Sequence, residues 1–234
     1  MSHLELRERV CRANHELARA GLVTLSFGNA SGTDRETGVM AIKPSGVPYD
    51  DLQPEDIVIV ALADGRVVEG AYRPSSDTPT HLVLCRHFGS IGGVAHTHSP
   101  HATAWAQARR PIPCLGTTHA DHFHGPVPVT RELTRDEIRG DYERMTGEVI
   151  VETFETDGLQ PLETPGALVA SHGPFTWGTD SAEAVENAVA IELVAAMAFR
   201  TILLLPSVEP IGAELLDRHF LRKHGSGAYY GQRQ

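Results

Sequence analysis

The dipeptide Asp64-Gly65 sits between two apolar runs, residues 56–62 and Val67-Val68. Aspartate followed by glycine in that setting is the strongest short-range hairpin signal, because both residues of a tight two-residue turn need positive φ. The chain is thereby committed to an antiparallel strand pair in its first third, with residues 22–25 and 39–43 as further strands around it.

Helical signals surround this β-rich stretch. Ser2-x-x-Glu5 reads as a capping box ahead of a helix with Leu6, Val10, Ala13 and Leu17 on one face, ended by Gly21. Pro79 suits the first turn of a helix over 78–88. The pattern then predicts a strand over 91–98 and a helix over 101–108, and Thr134-x-x-Glu137 opens a helix running towards Phe154. A strand over 167–171, a helix over 182–204 stopped by Pro206, and a helix over 211–224 stopped by Gly225 complete the series. The implied fold class is mixed α/β, or α+β-like: a central, largely antiparallel sheet flanked by helices. No low-complexity linker or fixed-period repeat divides the 234 residues, so a single domain over 1–234 is expected.

Composition narrows the partners. With 30 acidic against 20 basic residues the formal charge is −10, which argues against a nucleic-acid partner; the run Arg218…Leu221-Arg222-Lys223-His224 is too short to reverse that. Cys11, Cys85 and Cys114 lie far apart and form no Cys-x-x-Cys pair, so each is expected to be a buried thiol in a reducing compartment. The N-terminal residues carry no signal-peptide pattern, and the apolar stretch 185–205 is interrupted by Glu186, Asn187, Glu192 and Arg200. A cytoplasmic protein with no membrane partner is the expectation.

Five places carry the residue types of chemistry. His96-Thr97-His98 falls in a predicted strand, where residues two apart project to one face, so two imidazoles could meet a divalent metal; in a chain with 13 histidines the pattern can also arise by chance. His172 follows an apolar strand and precedes Gly173-Pro174, either presented to a cleft or simply a polar loop residue. Asp77 lies in Pro74-Ser75-Ser76-Asp77, where an N-cap role competes with a ligand role and is the more natural of the two. Gly28-Asn29-Ala30-Ser31 and Lys43-Pro44-Ser45-Gly46 read as small-residue turns after strands, able to cradle an anion through backbone N–H groups or to be plain turns. No Walker A loop or Gly-x-Gly-x-x-Gly occurs.

Taken together, Gly28-Asn29-Ala30-Ser31, Lys43-Pro44-Ser45-Gly46, Pro74-Ser75-Ser76-Asp77 and His96-Thr97-His98 resemble, in order and spacing, the class II aldolase/epimerase family. Gly116-Thr117-Thr118-His119-Ala120-Asp121, Ser171-His172-Gly173-Pro174-Phe175 and Leu221-Arg222-Lys223-His224-Gly225 with Tyr229-Tyr230-Gly231-Gln232 are similar to its L-ribulose-5-phosphate 4-epimerases in particular. The resemblance implies one zinc-class ion per chain on Asp77, His96, His98 and His172, with manganese or cobalt able to use the same ligands. It implies substrate and phosphate contacts from Gly28, Asn29, Lys43, Ser45, Gly46, Ser75 and Ser76, and a catalytic acid/base pair of Asp121 and Tyr230. It also implies a homotetramer with each site at a subunit interface. His122-Phe123-His124 departs from the family, where tyrosines usually flank the phenylalanine.

The activity so implied is interconversion of L-ribulose 5-phosphate and D-xylulose 5-phosphate by reversible cleavage of the C3–C4 bond, since the inverted carbon has no acidic C–H. Two alternatives belong to the same fold. A class II aldolase would release the fragments, but the aldolases resemble Pro-Ser-Ser-Glu where this chain has Asp77. An assembly module of the adducin type would dispense with the metal site, whereas all four candidate ligands are present here.

Overall fold

A computed structural model describes residues 2–225 and 227–229. Seven strands make one antiparallel sheet: β1 (Asn29–Asp34), β2 (Val39–Ile42), β3 (Val58–Ala61), β4 (Val67–Glu69), β5 (Gly93–His96), β6 (Gly166–Val169) and β7 (Gly173–Gly178). Their spatial order is β4-β3-β2-β1-β5-β7-β6. The helices are α1 (His3–Arg19), α2 (Thr78–His87), α3 (Pro100–Ala108), α4 (Thr117–Ala120), α5 (Arg135–Arg139), α6 (Tyr142–Asp157), α7 (Ser181–Leu204) and α8 (Ala213–His224).

Both faces of the sheet are covered, which is why β2 and β3 read as continuous apolar runs rather than alternating ones. The period of two survives in where each side chain goes. Met40, Ile42, Val58, Val60, Val94, Phe175 and Trp177 join Leu82, Val83, Phe88, Ile150 and Phe154 from α2 and α6 in one core layer. Val39, Ala41 and Ile59 face the other way, onto Leu6 and Val10 of α1. Leu168 packs under Ile191 and Val194 of α7, and Ala30 and Ala95 under Ala184 and Ala188. Phe88, Phe154 and Trp177 pack ring on ring at 5.2–5.3 Å. Truncating such a residue to alanine costs about 3–5 kcal/mol.

Several expected elements differ. Residues 22–25 form no strand; the segment is a loop in which Leu25 adopts φ 57° and is exposed. The expected turn at Gly28–Ser31 is instead the start of β1, the central strand. This strand is small and polar, yet it is tenable because buried Asn14 of α1 reaches it. Asn14 donates to the carbonyl of Ala30 at 3.0 Å and accepts from the Ala30 amide at 2.8 Å, completing the ladder where β2 no longer pairs.

The Asp64-Gly65 hairpin is present, but its loop is longer than two residues. Ala61 N–H bonds to Arg66 O, and only Gly65 of the pair has positive φ (79°). The helix expected from Thr134 to Phe154 breaks at Gly140 into α5 and α6. Residues 173–178, where no strand was expected, form β7 between β5 and β6, and so place His172 in a hairpin beside His96.

Candidate active site

β5 ends at His96, and the β6–β7 hairpin turns at residues 170–172 beside it. Ser171 occupies the left-handed region there (φ 63°), a strained conformation for a serine, and His172 follows at once. His98 lies two residues past the strand end rather than within it. The imidazoles of His96, His98 and His172 nevertheless converge, with ligand atoms all within 4.8 Å of one another. The Nε2 atoms of His96 and His98 are 3.1 Å apart.

The tautomer of His96 follows from its second nitrogen. Nδ1 lies 2.9 Å from the carbonyl of Pro174, so it carries the proton and Nε2 presents a lone pair to the cluster. Phe175 stacks on His96 at 4.0 Å and 13°, and its ring meets His172 edge-on. Burial, with the neighbouring His96 and His98, pushes His172 down to about 3, so its ring is neutral at physiological pH. Three imidazoles converging at this spacing, one of them with its lone pair fixed by the Pro174 carbonyl, fit a divalent cation.

Asp77 precedes α2 but does not cap it: its side chain makes no capping bond, and its φ and ψ are helical. The carboxylate faces the same pocket as the histidines, accepting from Asn29 Nδ2 at 2.7 Å. Burial tends to raise its carboxyl, but His96, His81, the Asn29 amide and His172 outweigh that and hold it below its ordinary value. Asp77 is thus an anion in the same pocket, although its oxygens are not among the ligand atoms that gather within 4.8 Å of one another.

The rest of the pocket is built of small-residue turns. Ser45 N–H bonds to Arg73 O and Ser75 N–H to Lys43 O, each at 3.0 Å, which zips the turn after β2 to the turn before α2. Those two amides are therefore spent. The amides of Gly46 and Ser76 and the hydroxyls of Ser45 and Ser76 stay without protein partners among the described residues. Lys43 lines the same pocket and is almost fully buried, at 1% exposure. Burial alone lowers its ammonium to about 8. Gly28 closes the pocket; with φ 77°, a Cβ there would stand 2.7 Å from the His96 carbonyl, so only glycine fits.

Asp121 is elsewhere. It follows α4 and is bound by α8: Arg222 donates to both carboxylate oxygens at 2.7–3.1 Å, and His219 Nδ1–H donates at 3.0 Å. Burial pushes this carboxyl up, but the Arg222 and His219 hydrogen bonds and the Lys223 charge hold it below the ordinary range. Asp121 is not among the residues lining the histidine pocket. Tyr230, its expected partner, lies outside the described residues.

The Class II Aldolase and Adducin N-terminal domain model matches residues 8–199. The chain belongs to this family. Relatives named as epimerases match nearly the whole of its length. An L-ribulose-5-phosphate 4-epimerase UlaF of Salmonella paratyphi C (strain RKS4594) is 54% identical over 98% of this chain and 99% of its own. The protein of that name from Salmonella typhi matches at the same identity and coverage. Among solved structures, an L-fuculose 1-phosphate aldolase superposes with a TM-score of 0.77 at 22% identity, covering 94% of this chain and 97% of its own. YgbL of Klebsiella pneumoniae gives 0.70 at 24%, covering 93% and 99%. At these identities the two structures establish the fold alone.

The residues that hold the three histidines in place carry less of a mark in the sequence than the histidines themselves. Phe175 stood out only as the last residue of the segment Ser171–Phe175 that resembles the epimerases. His81, fully buried, bonds to Ser31 Oγ at 2.8 Å and packs edge-on against Phe175. Its position four residues after Asp77 on α2 was the available signal.

Proposed function

We propose that this chain is a zinc-dependent L-ribulose-5-phosphate 4-epimerase, an isomerase converting that ketose phosphate to D-xylulose 5-phosphate. The full-length match to epimerases at 54% identity carries the reading. The pocket supplies its working parts.

His96, His98 and His172 would hold the ion, with Asp77 as a fourth ligand; softness and coordination number favour zinc, although manganese or cobalt suits the same donors. An ion bound there supplies Lewis-acid stabilisation of the negative charge that builds as the C3–C4 bond breaks. Asn29 fixes the Asp77 carboxylate through the 2.7 Å bond. Lys43, the free amides of Gly46 and Ser76, and the Ser45 and Ser76 hydroxyls grip the 5-phosphate, with Gly28, Asn29 and Ser75 shaping the turns around it. That grip retains glycolaldehyde phosphate while the aldehyde rotates, and the re-formed bond has the opposite configuration at C4.

Two groups must exchange the proton of the C4 oxygen, one on each face, and Asp121 and Tyr230 are assigned to this. Since Asp121 is tied to α8 outside the pocket of its own chain, a neighbouring copy would deliver it together with Tyr230. A homotetramer meets that need. The reading takes residues 1–234 as one class II domain, working in the cytoplasm on a small sugar phosphate without nucleic-acid or membrane partners.

The test is incubation of the purified protein with L-ribulose 5-phosphate, with and without a chelator. Formation of D-xylulose 5-phosphate that is lost on chelation and restored by zinc is expected. Net release of glycolaldehyde phosphate would instead make the chain an aldolase, and turnover in rigorously metal-free protein would overturn the assignment.

A further inference from the structure

Lys43 poses a problem that the pocket alone does not solve. Its ammonium is buried, yet among the described residues it has no carboxylate partner; it donates to Val47 O at 2.6 Å and Pro44 O at 3.4 Å. Carbonyl dipoles do not neutralise a buried charge, so the side chain needs another source of fixation to point at an anion. Tyr49 provides it. The Lys43 ammonium lies 4.8 Å from the centre of the Tyr49 ring, within cation–π range.

The other end of Tyr49 acts on the opposite wall. Its hydroxyl points at two consecutive carbonyls, Phe27 O at 3.0 Å and Gly28 O at 2.7 Å. Gly28 abuts the carbonyl of His96, and Asn29, the next residue, donates to Asp77. The Phe27 ring in turn leans on His98 at 6.3 Å. One buried side chain, 5% exposed, therefore touches the cation of the anion pocket and the turn that borders the histidines.

We propose that Tyr49 is a positioning residue whose ring and hydroxyl fix the Lys43 ammonium and the Gly28 turn as one unit, and so set how strongly the enzyme prefers a phosphorylated sugar. The inference rests on the reading of this pocket as a sugar-phosphate site. Tyr49→Phe keeps the ring under Lys43 and removes the hydroxyl clamp, whereas Tyr49→Leu removes both.

The experiment measures inorganic phosphate binding to the zinc-loaded protein by calorimetry, alongside kcat/KM for L-ribulose 5-phosphate and for free L-ribulose. Tyr49→Phe should weaken phosphate binding about tenfold, and Tyr49→Leu further, to about a hundredfold. Zinc stoichiometry should hold, and kcat/KM for the unphosphorylated sugar should fall several-fold less than that for L-ribulose 5-phosphate, a split that general loosening of the fold would not produce. Phosphate affinities in a cycle of Lys43→Met and Tyr49→Leu should be non-additive, since each removes one side of the same contact. Wild-type affinity in Tyr49→Phe, equal losses on both sugars, or additive cycle values would overturn the inference while the pocket assignment stood. Absence of phosphate binding by the parent protein would remove the pocket assignment and the inference together.

Discussion

His96, His98 and His172 are rooted in the sheet, whereas the Asp121 carboxylate is held by side chains of α8. The first group inherits its geometry from strand pairing: His96 faces Phe175 across β5 and β7, and His172 sits in the hairpin between β6 and β7. Its ligand atoms converge within 4.8 Å in a single chain. The second group is electrostatic, with Arg222, His219 and Lys223 gathered about one carboxylate that is 14% exposed. A metal site tolerates little positional error and is built on rigid elements. A proton-transfer group can be carried on a helix and brought to the site by assembly.

If the division is right, damage to the two regions should look different. His96→Ala removes the one imidazole whose tautomer the structure fixes. It should abolish stoichiometric metal binding, measured by elemental analysis, and cut kcat/KM by at least about 10³-fold, as loss of several kcal/mol of transition-state stabilisation demands. Tyr230→Phe removes the phenol proposed to transfer a proton but none of the proposed metal ligands. Turnover should fall by about 10²–10⁴-fold with metal content intact, while Tyr229→Phe changes little. Equal metal loss in both classes of variant would erase the distinction.

Arg222→Met sharpens it. Arg222 holds the Asp121 carboxyl below its ordinary value, so without it the carboxyl rises. Activity that needs the carboxylate should then fail at a higher pH than in the parent, and the acidic limb of the pH–rate profile should move towards neutrality. Metal content should not change.

A smaller effect concerns His119 of α4, which donates through Nε2 to Gly125 O at 2.8 Å. Burial depresses its ring from 6.5 to about 4. Between those values the unfolded chain binds the proton that the folded chain refuses. Its stabilising contribution is therefore full above about pH 6.5 and declines as pH falls towards 4, by at most about 1.4 kcal/mol per pH unit. Urea titrations of the parent and His119→Gln across that window should show a shallower acid slope in the variant.

The sheet-borne half was far more legible in the sequence than the helical half. Apolar runs such as residues 58–61 reflect local geometry that a strand imposes, and the His96-x-His98 pair stood out as a motif even though only His96 lies within β5. Asp121 carries no comparable mark, because its partners His219 and Arg222 come from 98 and 101 residues further along the chain. Strands β1 and β7 escaped for a different reason. Their sequences, Asn-Ala-Ser-Gly-Thr-Asp and Gly-Pro-Phe-Thr-Trp-Gly, hold the residues of turns, and tertiary pairing and the Asn14 bridge overrule that local preference. Tyr49 was invisible for the same reason as the Asp121 cluster: its contacts come from separate segments that only the fold unites.

The most direct test of the account mixes two inactive variants, His96→Ala and the double variant Asp121→Asn/Tyr230→Phe, by reversible dissociation and reassembly in the presence of zinc. If histidines from one copy work with the acid/base groups of another, random mixing leaves about a quarter of the sites intact, and epimerase activity should return to roughly that fraction of the parent value. Mixtures as inactive as their components would contradict the account, since both halves of the site would then have to come from the same chain.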